Sequence, residues 1–278
     1  MNSGAIYAVL SALGFATLGL WGKFAFQLGL SSTTFLTFRF ALAGIVLLPI
    51  VTRGQALRER LPQLGFGLVY TVQTSLYFAA LGLISAGVTV LLLYLAPAFV
   101  VLYEWLLGKR PERQQVLGLL LSSFGLIVIV GLPASSDANP LGWLLAVLSG
   151  ACYAGFLVAS GRLFPKADSL ALTANASLGS TMGFVILGLV TATLRLPTQP
   201  LEWGVILGAL LFATLLAIPL MFRAIHALGA TRASLLLTLE PVFVTGLALV
   251  FLGEPLTIGK VIGGSLIVAG ALLAQQKS

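Results

Sequence analysis

Charge is what this 278-residue chain has least of: 8% of its residues are Asp, Glu, Lys or Arg, against about 25% in soluble domains. So few ionic groups cannot coat a water-facing surface. With 59% hydrophobic residues and a mean hydropathy of +1.07, the chain belongs in a lipid bilayer. One cysteine, Cys152, excludes an intrachain disulfide. One histidine, His226, and scattered acids offer no metal-ligand spacing, so neither a metal nor any other cofactor is expected. No Gly-x-x-x-x-Gly-Lys-Ser/Thr loop is present, which removes a P-loop ATPase from consideration. An intramembrane lipid-modifying enzyme is the competing reading of another class. It needs a His, Cys, Asp or Ser constellation that the chain lacks, so no enzyme is expected. The net charge of +7 and pI of about 9.9 do not point to nucleic acid, because the basic residues lie between apolar runs and act there as topology signals.

Ten apolar runs approach the roughly 20 residues a spanning helix needs: 4–28, 33–52, 61–82, 86–107, 114–133, 139–161, 168–194, 201–223, 231–252 and 256–275. The first lacks a basic leader and continues too far for a cleaved signal, so it reads as a span. Basic residues gather in alternate connections. Arg53, Arg58 and Arg60 follow the second run, and Lys109, Arg110 and Arg113 the fourth. Arg162 and Lys166 follow the sixth, Arg223 and Arg232 border the eighth and ninth, and Lys277 ends the chain. The other set of connections holds Arg195. That bias predicts an inner-membrane protein with both termini in the cytoplasm.

The chain also contains one pattern twice. An offset of 144 residues carries Pro97 onto Pro241, Leu91–Leu93 onto Leu235–Leu237, and Phe99 and Val100 onto Phe243 and Val244. One further residue of slip aligns Gly108, Gly118 and Gly125 with Gly253, Gly263 and Gly270. Upstream, Ala8–Ser11 recurs as Ala146–Ser149. The chain therefore reads as two five-run repeats, 1–136 and 137–278. Five is odd, so the second copy enters the membrane from the opposite side, the arrangement of secondary transporters.

These residues resemble a known family. Gly19-Leu20-Trp21-Gly22-Lys23, Phe38-Arg39-Phe40, and Leu239-Glu240-Pro241-Val242-Phe243 followed by Leu252-Gly253-Glu254-Pro255-Leu256-Thr257 are similar to the EamA-type members of the drug/metabolite transporter superfamily. The first repeat departs from the family pattern, with Gly108-Lys109 where Gly-Glu is usual. The resemblance implies an all-α integral membrane protein, ten transmembrane helices in two inverted five-helix repeats around a central cavity. It implies export of small molecules: amino acids, other metabolites of nucleoside or sugar type, or drugs. Length and composition are similar to the bacterial aromatic amino-acid exporters, which makes amino acids the leading expectation, with a monomer as the working unit.

Several side chains are candidates for the site. Tyr70, Gln73, Thr74 and Tyr77 occur at i, i+3, i+4 and i+7, on one face of the third run. Lipid gives them no partners, so the face looks either into a cavity or onto a neighbouring helix. Their repeat mates, Thr214, Ala217, Ile218 and Met221, are far less polar, so a site there is expected to be asymmetric. In the sixth run Ser149, Tyr153, Phe156 and Ser160 form a similar stripe, and Phe15 is the mate of Tyr153. Lys23 and Arg39 lie in the outer parts of the first two runs, where each either snorkels to the headgroups or binds substrate. Glu240 lies near the middle of the ninth run and is the candidate for coupling transport to protons. Glu104 and Lys260 read as interfacial, and His226 as a loop residue. Pro97, Pro219 and Pro241 interrupt runs and serve either as hinges or as static kinks.

Overall fold

The computed structural model describes residues 3–51, 55–131, 137–253 and 255–276. Arg53, Glu254 and Lys277, which entered the charge and motif arguments, lie outside that set. Because lipid supplies no hydrogen bonds, each apolar run closes its own backbone as a helix. The first repeat holds α1 (Ser3–Gln27), α2 (Ser32–Val51), α3 (Leu57–Leu81), α4 (Ala86–Leu93), α5 (Ala96–Leu106) and α6 (Arg113–Val130). The second holds α7 (Pro140–Leu163), α8 (Ser169–Val190), α9 (Pro200–Ala209), a π turn over Leu210–Leu216, α10 (Ala217–Leu228), α11 (Ala230–Leu237), α12 (Glu240–Leu252) and α13 (Ile258–Leu273). Among the described residues nine helical stretches of 18 or more residues are apolar enough to cross a membrane, with Ile258–Leu273 as a shorter tenth.

The fourth and ninth spans are each broken at the same place. Helix α4 stops before Tyr94 and Leu95, and α5 resumes with Pro97 in its first turn; α11 stops before Thr238 and Leu239, and α12 resumes with Pro241 in its first turn. A proline without an amide hydrogen is tolerated in a first turn, so each proline starts the second half of its span. The eighth span differs from the expected uniform helix. It widens into the π turn before α10, which contains Pro219 and ends at Leu228, so His226 lies in a last helical turn rather than in a loop.

The repeat is visible in the packing of its copies. Gly118 of α6 lies over Gly270 of α13, and Gly125 lies over Gly263. An added Cβ would come within 2.5 Å of the Gly270 carbonyl oxygen at Gly118 and within 2.6 Å of the Gly118 oxygen at Gly270. The contacts are reciprocal and run in opposite directions along the chain, so the two mates cross antiparallel, as inverted copies must. Such close crossing needs glycine, because packing rather than water exclusion holds helices together in lipid.

The two ends of the bundle are tied differently. At the end rich in basic residues, Glu104 pairs with Arg162 at 3.1 Å and Lys109 at 3.5 Å, and Glu112 pairs with Arg232 at 2.8 Å. At the other, the Ser31 hydroxyl donates to the Thr193 carbonyl (2.7 Å), the Arg195 amide donates to Thr34 Oγ1 (3.1 Å), and Arg195 pairs with Glu202.

Candidate functional site

Between the repeats lies a narrow cavity, lined by Phe15 of α1, Phe40 of α2, Tyr70 of α3, Tyr153 and Phe156 of α7, Thr173, Ala176, Ser177 and Ser180 of α8, and Ile218 and Met221 of α10. Its aromatic wall is a continuous cluster of rings in stacked, tilted and edge-on contact. Phe156 lies 4.1 Å from Phe66 at an interplanar angle of 8°, with Tyr70 at 5.4 Å and Tyr153 at 6.5 Å. Phe40 meets Tyr70 edge-on at 5.6 Å and stacks on Phe184 at 6.0 Å. Offset and edge contacts of this kind fix ring orientation and present apolar faces with polar rims. The hydroxyls of Thr173 and Ser180 donate to backbone carbonyls, of Ser169 and Gly67 respectively, and the Tyr153 hydroxyl lies 3.7 Å from Met221 Sδ.

The four residues on one face of α3 have separate surroundings. Tyr70 lines the cavity with Phe15, Tyr153 and Phe156. Gln73 ties α3 to α7: its Nε2 donates to Ser149 Oγ at 2.9 Å, and that hydroxyl donates back to the Gln73 carbonyl at 3.0 Å. Thr74 donates to Gln73 Oε1 at 3.2 Å. The Tyr77 ring packs edge-on against Phe78, 5.5 Å away, with Glu240 in electrostatic reach. Ile218 and Met221, from the less polar mate face, lie on the cavity wall with Tyr70.

A second, smaller cavity is lined by both helix breaks, with Tyr94 and Pro97 from one repeat and Thr238 and Pro241 from the other. Leu119, Ser122, Ser123 and Leu126 of α6 and Ile267 of α13 complete it. Glu240 opens α12, so its carboxyl sits at a helix N-terminus, where negative charge is favoured. It is half-buried, hydrogen-bonds with the Tyr94 side chain, and has Tyr77 and Tyr153 in electrostatic reach.

The two cations within α1 and α2 have opposite fates. Lys23 is exposed. Arg39 does not snorkel: it is 0% exposed, its Nε donates to Thr214 Oγ1 and its Nη2 to the Ala213 carbonyl (3.2 Å). The π turn supplies both acceptors. Its wider spiral shifts the backbone hydrogen bonds and turns Thr214 and the Ala213 carbonyl toward α2.

Sequence reasoning gave Phe40 no role beyond its place in the Phe38-Arg39-Phe40 motif and did not single out Tyr94, Thr173, Ser177 or Ser180. Tyr94 sits in a uniformly apolar run where an aromatic has no periodic signature. The helix α8 residues did leave a signal: Thr173, Asn175, Ser177, Ser180 and Thr181 make α8 unusually polar for a span.

The profile of the EamA-like transporter family matches residues 2–131 and again 140–275. An uncharacterized transporter of Bacillus subtilis, YcbK, is 26% identical over 94% of this chain and 89% of its own. The threonine/homoserine exporter RhtA of Escherichia coli is 27% identical over 78% of this chain and 72% of its own. A crystal structure of a protein 23% identical shares the fold with a TM-score of 0.83, covering 98% of this chain and 97% of that one.

Proposed function

Because the chain belongs to the EamA-like transporter family, we propose that it exports amino acids, aromatic and other apolar ones foremost, by alternating access at the aromatic cavity. The observation that carries this reading is the cavity itself: it lies between inverted repeats, with aromatic rings along its wall and a lining that is almost wholly apolar. An apolar side chain stacks on the rings, and a polar amino-acid end needs partners that nearby charged and polar groups behind the lining supply. The name of the Escherichia coli relative, a threonine/homoserine exporter, is consistent with amino acids as cargo.

Residues 1–136 and 137–278 are the two moving units in this reading, and the helix breaks at Pro97 and Pro241 are the points where each fourth span flexes. Pro219, directly after the π turn, is a third such point. Glu240 couples the cycle to protons, and the protein works as a monomer in the inner membrane with its basic end in the cytoplasm.

Counterflow in proteoliposomes tests the cargo: labelled phenylalanine and threonine should exchange against an unlabelled excess, phenylalanine faster. No exchange of either, with exchange of a nucleoside, sugar or drug instead, would replace the substrate class. Orientation is tested separately in a Cys152→Ala background. A cysteine at Thr191 should label from outside the cell and one at Lys166 only after permeabilisation.

A further inference from the structure

Among the described residues, Arg39 is a buried cation without a counter-ion. The ion pairs found among the described residues engage Glu104, Glu112 and Glu202 with other cations, and none includes Arg39. Its Nε and Nη2 hold the π turn, while its Nη1 is left without a close hydrogen-bond acceptor among the described residues. The guanidinium lies 4.7 Å above the Phe40 ring, and the Tyr70 hydroxyl faces it as a loose hydrogen-bond and electrostatic partner. Phe40 and Tyr70 both form the cavity wall, so the unsatisfied cation stands directly behind it.

We propose that Arg39 is the carboxylate-recognition residue of the cavity, and that the carboxylate of the transported molecule takes the unpaired Nη1 when Tyr70 turns aside. This deepens the export reading and rests on it. A residue that only stapled α2 to the π turn would need two donors and no charge; a glutamine-like group would suffice and would avoid burying a cation in lipid. Arginine instead offers a planar fork whose anchored side fixes the orientation of the free side, the geometry that receives a carboxylate. The anchor matters as much as the charge. With Nε and Nη2 held by Thr214 and Ala213, Nη1 is pre-oriented, and binding an anion requires no ordering of a long side chain. The rest of the cavity, with Phe15, Tyr153, Phe156 and Met221, then receives an apolar or aromatic substituent. The class of ligand is a small carboxylic acid carrying such a group.

Two acid–amide pairs test this: phenylalanine with phenylalaninamide, and 3-phenylpropanoate with 3-phenylpropanamide, each titrated into the detergent-solubilised full chain by calorimetry. The wild type should bind each acid about tenfold or more tightly than its amide. Arg39→Gln should bring acid and amide to the same affinity while leaving the amide value unchanged, and Arg39→Lys, which keeps the charge without the fork, should fall between. Thr214→Val, which frees the fork from its anchor, should weaken the acids and not the amides. Equal binding of acid and amide by the wild type overturns the proposal, as does discrimination that survives in Arg39→Gln. Acids preferred over amides with no amino-acid counterflow would sink the export reading and leave Arg39 in this role. A structural staple would lower all four affinities together and leave their ratios unchanged.

Discussion

Where α3 crosses α8, small residues bring two backbones together; where their counterparts in the other half cross, α2 and the α9–α10 span, a single arginine bridges the gap. At the first seam Gly67, Thr71, Gly179, Ser180 and Gly183 interlock, and the Ser180 hydroxyl donates to the Gly67 carbonyl at 2.9 Å. Nearer the basic end the Asn175 amide donates to Gln63 at 2.7 Å and Gln55 at 3.0 Å. At the second seam Arg39 reaches the π turn, Phe38 meets Trp203 edge-on at 5.3 Å, and one nitrogen is left unsatisfied. The first seam is complete in itself. The second carries an unmet charge, and it is the one that has something left to bind.

The difference can be broken most forcefully at the glycines. A Cβ at Gly179 would run into the Leu64 carbonyl, and backbone cannot rotate aside. Gly179→Val should therefore destabilise by about 3 kcal/mol or more, toward the upper end of overpacking costs, read as a lower melting temperature in detergent. Gly65→Val on the neighbouring helix is the control, since nothing lies within 4 Å of its added Cβ; it should change stability by about 0.5 kcal/mol or less. Equal effects at the two sites would mean the seam is not closely packed.

Arg39→Met is the converse experiment. The variant removes a buried charge and fills most of the same volume, and Thr214 keeps a carbonyl partner at Ala209 (3.5 Å). Apolar replacement of buried ionic groups is often neutral or stabilising, so stability should lie between unchanged and about 2 kcal/mol higher, even as acid recognition is lost. A melting temperature that falls as far as in Gly179→Val would make Arg39 a staple and erase the contrast between the seams.

The helix breaks sharpen the comparison, since there too the two repeats differ: Tyr94 and Ala96 of one correspond to Thr238 and Glu240 of the other. Glu240→Gln keeps the shape and one acceptor oxygen. Its stability should move by about 1 kcal/mol or less, while transport slows and its response to pH flattens. Transport at the wild-type rate with the wild-type pH profile would show that Glu240 is structural and that protons are not coupled through it.

How far this was legible follows from the physics of each signal. The spans, the duplication and the paired breaks at Pro97 and Pro241 are written in features that survive averaging over a helix: apolar length, glycine spacing and a missing amide hydrogen. The π turn is not. Leu210–Leu216 reads LLFATLL, with no proline or glycine to announce it, and its widening answers a side chain 175 residues away in sequence. The fate of Arg39 was equally hidden, because snorkelling and burial differ only in what the neighbouring helix offers. Tyr70, Gln73, Thr74 and Tyr77 share a face by spacing alone. Which of them meets the cavity and which meets Ser149 or Glu240 depends on where α7 and α12 cross, and periodicity does not carry that.

The smallest effect is expected at the basic end, where ion pairs rather than glycines join the repeats. Glu104 of α5 is 8% exposed and holds two cations, Arg162 of α7 at 3.1 Å through a hydrogen bond and Lys109 at 3.5 Å. Lys109 is 50% exposed, so its attraction is screened by water and offset by the entropy of fixing a long side chain. Lys109→Gln should therefore cost about 0.5 kcal/mol or less, and added salt should erase the difference from wild type. Arg162→Gln should cost more, because it takes the hydrogen-bonded partner from a carboxylate that is mostly buried and breaks the link between repeats. If Lys109→Gln proved the more harmful of the two, the bridge between the halves would run through the exposed loop rather than through α5 and α7. The melting temperatures of both variants at low and high salt decide between these.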